Sequence, residues 1–128
     1  MTKSNQLKLI NLIYSRLDFL NNYTWTAYRD DLFNQCLKSE KQHRKGRPDG
    51  VTCGISARDA AKYFTIKYIV ETVVTGETFQ VKDFITVRRE CFYGLSIALN
   101  YRDAILENLK GIDLEQFLND VDYCELMK

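Results

Sequence analysis

Apolar positions recur along most of this chain at helical spacing. Leu7, Ile10, Tyr14 and Leu17 fall at steps of three and four, flanked by Leu9, Ile13 and Leu20. They predict a first helix, capped by Ser4 or Asn5. Leu12 and Phe19, seven apart, project from a second side: either another element covers them or they seed a subunit contact, and the general burial of apolar faces favours cover. Asn21-Asn22 breaks the pattern. Thr24 or Thr26 opens a second helix, with Trp25, Tyr28, Leu32, Phe33 and Cys36 on a common side. Asp30 and Asp31 lie in its early turns, where carboxylates suit the helix dipole. A connection this short predicts an antiparallel helical hairpin.

From Lys38 to Gly50 the apolar pattern stops. The run contains the chain's one His and one Pro, with Lys38, Lys41, Arg44, Lys45 and Arg47 against Glu40 and Asp49. Its first cations suit the last turn of the second helix, and Arg47-Pro48-Asp49-Gly50 makes a turn. The expectation is a basic loop at 38–50.

Beyond it, Ser56-Ala57-Arg58-Asp59 is a capping-box variant opening a third helix. That helix has Ala57, Ala60, Ala61, Phe64 and Tyr68 on one face. From Thr65 to Thr75 two patterns compete. Ile66, Ile69, Val70, Val73 and Val74 prolong the helix, whereas β-branched content and Thr75-Gly76-Glu77 suit a hairpin near 66–87. Helix is the favoured alternative. From Val81 to Leu109 the helical pattern returns, with Gly94 as a bend and Gly111 as a stop. Asp113 caps a final helix with Leu114, Phe117, Leu118, Val121 and Leu126 on its apolar side. Residues 1–128 are thus expected to form one all-α domain, a bundle of about five helices. The alternative is an α+β fold with the small hairpin.

Composition supports this picture: 128 residues, 45% hydrophobic and 27% charged, are ordinary for a globular domain and argue against disorder. Net charge is only +1, but residues 1–64 hold 11 Lys and Arg against 6 Asp and Glu, and residues 65–128 hold 7 against 11. Asp113, Glu115, Asp120, Asp122 and Glu125 sharpen the acidic end. Such polarity suits oriented docking better than general nucleic-acid coating. Cys36, Cys53, Cys91 and Cys124 are widely spaced, without a CxxC pair, and the chain opens on an amphipathic stretch. No window approaches eighteen uninterrupted apolar residues. The expectation is a reduced cytoplasmic protein with four free thiols and no membrane association.

No constellation for chemistry is compelling. Cys36, His43 and Cys53 are metal-ligand types, but a structural zinc site takes four ligands, usually in close pairs. Cys53 before a helix start, with His43 as base, lacks any supporting pattern. Gly46, Gly50 and Gly54 beside Lys45 and Arg47 match neither a P-loop nor a dinucleotide fingerprint. No metal, cofactor or catalytic residue is therefore expected. The basic run could track phosphates, with Tyr28, Tyr63 or Tyr68 stacking on bases, so nucleic-acid binding through 38–50 is the alternative function.

The leading expectation is a non-enzymatic regulatory protein that binds a protein complex. Lys41, His43, Arg44, Lys45, Arg47, Arg88 and Arg89 are its candidate partner-binding residues, with the acidic C-terminal helix as a second surface. Length, cysteines without a disulfide pattern and an Asn/Lys/Tyr/Phe-rich composition look like the small early proteins of large lytic phages. That resemblance implies a factor binding host RNA polymerase or a defence protein, and it assigns no residue a role.

Overall fold

The computed structural model describes residues 1–19, 23–45, 54–77 and 97–128. Arg47, Arg88, Arg89, Cys53, Cys91 and the 78–87 half of the alternative hairpin lie outside them. Among the described residues the architecture is all-α, without a strand: α1 (Lys3–Arg16), a 3-10 turn (Leu17–Phe19), α2 (Tyr23–Arg44), α3 (Ala57–Thr75), α4 (Arg102–Asn108), α5 (Leu114–Asp120) and α6 (Tyr123–Leu126). Residues 97–100 are also helical, leading into α4.

The bundle is organised around α3, which packs most extensively on α2 and also meets α1, α4 and α5. Its segment 65–75, the ambiguous one, is helix. Thr65, Ile66, Tyr68, Ile69, Val70, Thr72 and Val73 are all buried. Lys67 and Glu71 mark the remaining, half-buried side, and a helix with so broad an apolar arc is stable when neighbours cover that arc. Its threonines also satisfy themselves within the helix: Thr65 Oγ1 donates to the Ala61 carbonyl and Thr72 Oγ1 to that of Tyr68, each at 2.7 Å. Ser56 caps the start as expected, accepting the Asp59 N–H at 3.1 Å. Gly76 ends the helix at φ 75°, and Arg102 Nε donates to the Val73 carbonyl at 2.6 Å, placing a cation on the last turn.

In α1, Ile10, Ile13 and Leu17 fill the core, and Trp25 of α2 donates Nε1–H to the Leu17 carbonyl, tying the first two helices together. The seam among α1, α2 and α3 is closed by cations on aromatic faces. Arg29 and Lys62 lie over Tyr14, and Arg58 lies over Phe33.

Four expectations need correction. Thr2, not Ser4 or Asn5, caps α1, accepting the Asn5 N–H. Leu12 is exposed, because the neighbouring helices cover the Ile10–Ile13–Leu17 side and leave this one open; the Phe19 side chain lies outside the described residues. The expected loop at 38–50 is helix α2 as far as Arg44. The expected final helix is two, because Val121 and Asp122 are extended and Asp122 caps Cys124 N–H at 2.9 Å, restarting the chain in a new direction.

Candidate functional site

The C-terminal turns of α2 contain a buried polar centre that nothing in the apolar pattern announces. Ser39 and Glu40 are buried, Glu40 completely. Arg44, one turn later, donates Nε–H to Glu40 Oε1 at 2.8 Å, and Tyr123 of α6 donates its phenol to the same oxygen at 2.9 Å. Glu40 Oε2 has no hydrogen-bond partner among the described residues. Arg44 also reaches Met127 Sδ at 3.5 Å. Two charge-assisted bonds to Oε1 offset much of the cost of burying this carboxylate, and the one from Tyr123 clamps α6 to α2.

A second contact holds the same segment. Gly54 N–H donates to the Met127 carbonyl at 3.1 Å. The approach is so close that a Cβ on Gly54 would clash with the Leu126 carbonyl oxygen. Leu126 and Val121 are buried beneath this segment, and Tyr63 donates its phenol to the Val121 carbonyl at 3.3 Å. Burial holds the Tyr63 phenol well above its ordinary pKa of 10.0, with the nearby Asp122 carboxylate adding to the rise.

Between the end of α2, the middle of α3 and the start of α6 lies a cleft of about 350 Å³, lined by His43, Tyr63, Phe64, Lys67, Asp122, Tyr123 and Cys124. Phe64 and Tyr123 form its aromatic wall, ring centroids 5.1 Å apart, and Lys67 Nζ lies 5.7 Å from the Tyr63 ring centroid. Three stretches remote in sequence meet here. Nothing in their local patterns links them, so no sequence signal could have assembled this cleft.

The sequence-derived candidates fall into three groups. Lys41, His43 and Lys45 are exposed around the last turn of α2. Arg44 is occupied internally by Glu40 and is half-buried. Arg47, Arg88 and Arg89 lie outside the described residues. Lys41 and Lys45 each follow by one position the residues that reach α6, so they flank the α2–α6 seam. The basic run meets the acidic tail through other residues: His43 and Asp122 line one cleft, Arg44 reaches Met127, and the exposed Glu125 pairs with Lys128.

Cys36 is buried, whereas His43 is exposed about 10 Å farther along the helix axis. Among the described residues no group of three or more His, Cys, Asp or Glu side chains is arranged to hold a metal. Cys36 and Cys124 are free thiols, the latter exposed. No helix among the described residues is long and apolar enough to cross a membrane.

Comparison with protein-family models, curated proteins and solved structures finds no match to this chain, so geometry carries the functional argument.

Proposed function

We propose that the protein is a non-enzymatic regulatory factor that acts by docking onto another protein assembly through the end of the bundle where α2 meets α6. The observation that carries this is the convergence of both signs of charge on one built surface. Lys41, His43 and Lys45 are exposed at the end of α2, and Asp122, exposed at the start of the α6 segment, lines one cleft with His43, on helices locked together by Glu40, Arg44 and Tyr123. A bipolar surface on a rigid support selects the orientation of a partner, and an adjoining aromatic cleft offers a place for an anchor side chain. The compositional likeness to small early phage proteins agrees with a target such as a host polymerase or a defence complex.

Nucleic-acid coating is less favoured because several cations of the basic half are engaged internally. Arg29 pairs with Asp18 and Asp30, Arg44 with Glu40, and Arg58 and Lys62 lie on aromatic rings.

The test is affinity capture from host extract with wild-type protein and with a Lys41→Ser, His43→Ser, Lys45→Ser variant. Arg44 stays intact because it holds Glu40. Recovery of the wild-type partner is expected to fall by about tenfold, equivalent to about 1.4 kcal/mol. Unchanged recovery with an unaltered circular dichroism spectrum refutes this role for the surface. A salt-sensitive gel shift of nucleic acid by the purified protein supports the alternative function.

A further inference from the structure

We infer that the cleft of about 350 Å³ takes one aromatic side chain of the partner protein, flanked in its sequence by a single acidic residue; the inference rests on the docking role just proposed. The volume lies at the small end for ligand sites and suits one ring with its immediate neighbours. The lining calls for that ring. Tyr63 donates its phenol to the Val121 carbonyl and Tyr123 donates its own to Glu40, so both hydroxyls are spent inside the protein. What the two residues bring to the cleft is ring surface. The Phe64 centroid lies 5.0 Å from that of Tyr63 and 5.1 Å from that of Tyr123, which makes the three rings one continuous wall. A further ring packs on such a wall edge-on or offset.

The charges set the second requirement. Lys67 is half-buried, with Nζ 5.7 Å from the Tyr63 ring centroid. It has no ion pair among the described residues, and Glu71, one turn along α3, does not reach it. An ammonium partly withdrawn from water gains from an anion brought to it. His43 adds a ring N–H donor from α2. Asp122 is the one carboxylate in the lining, and its Oδ1 accepts the Cys124 N–H at 2.9 Å. It repels a second acid, so the occupant carries one acidic neighbour and not an acidic run.

The experiment titrates the purified full chain by calorimetry with two blocked peptides, acetyl-Gly-Phe-Glu-Gly-amide and acetyl-Gly-Glu-Phe-Gly-amide. At least one is expected to bind with a dissociation constant below about 1 mM. Replacing its Phe by Ala is expected to weaken binding at least tenfold, and replacing its Glu by Gln about fivefold. Cys124 is exposed in the cleft and reports the location. Its alkylation by iodoacetamide, followed by mass spectrometry of the Cys124 peptide, is expected to slow at least threefold under saturating peptide. Lys67→Met should weaken binding about as much as loss of the Glu, and Lys67→Arg should restore it. Absence of binding by both peptides at about 5 mM overturns the inference. So does binding that ignores loss of the ring or of the acid, or that leaves Cys124 alkylation unchanged. These arms use the wild-type chain and decide the matter even where Lys67→Met fails to fold. Capture of a partner from extract that depends on Lys41, His43 and Lys45 while neither peptide binds leaves the docking role standing and removes this one.

Discussion

Removing one phenolic oxygen tests whether the clamp between α2 and α6 is what holds the end of the bundle. In Tyr123→Phe, Glu40 Oε1 keeps only Arg44, and Oε2 already has no partner among the described residues. A hydrogen bond to a charged group contributes about 1.5–3 kcal/mol. The carboxylate is completely buried, so water cannot replace the lost donor, and a cost of about 2–3 kcal/mol is expected. Glu40→Met removes the buried charge together with both bonds. The Arg44 side chain is 17% exposed and can turn toward water, so this cost is lower, about 1–3 kcal/mol. The double variant should cost less than the two singles combined, by at least about 1 kcal/mol, since both remove the same bond. Urea unfolding followed by circular dichroism measures all three variants against wild type. Costs that add within about 0.5 kcal/mol, or a Tyr123→Phe cost below that value, refute the clamp.

Gly54→Ala places a methyl group against the Leu126 carbonyl and should destabilise by about 1–3 kcal/mol in urea unfolding, with faster amide exchange at 121–128 than elsewhere. Protonated Tyr63 is the form that the fold favours, while the unfolded chain releases that proton from about pH 10.0 upward. The stability this group contributes is therefore complete below pH 10.0 and is lost as pH rises toward its higher folded pKa, and Tyr14, also raised by burial, acts in the same direction. Urea midpoints between pH 8 and 12 should fall, and Tyr63→Phe should flatten that fall; an unchanged slope contradicts the assignment. Arg102→Ala removes the donor to the Val73 carbonyl at the end of α3 and should cost about 1–2 kcal/mol by thermal or urea unfolding, whereas Lys41→Ser and Lys45→Ser should stay within about 0.5 kcal/mol.

Local chemistry was legible at several helix ends, though not at the Thr2 and Asp122 caps. Ser56 and Asp113 cap the helices they precede, and Gly111 takes a positive φ at the stop after α4. The 65–75 segment was ambiguous because β-branched residues suit either state. Its helical state goes with burial of a broad arc from Thr65 to Val73, and coverage is a property of neighbours. The run from Lys38 onward misled for a related reason. Polarity suggested solvent, yet Ser39 and Glu40 are buried, and Tyr123, more than eighty positions away, supplies Glu40 with a donor.

The sequence by itself favoured the all-α class and determined the core stripes of α1, α2 and α3 and the presence of separate basic and acidic stretches. These depend on periodicity, capping and composition, all of which act over a few residues. Only the tertiary structure decided that the two charged stretches are neighbours and that Arg44 is a structural cation. It also brought His43, Lys67 and Cys124 to one cleft. Those outcomes depend on which helix ends meet, and close approaches such as that of Gly54 to Leu126 arise from packing across the chain.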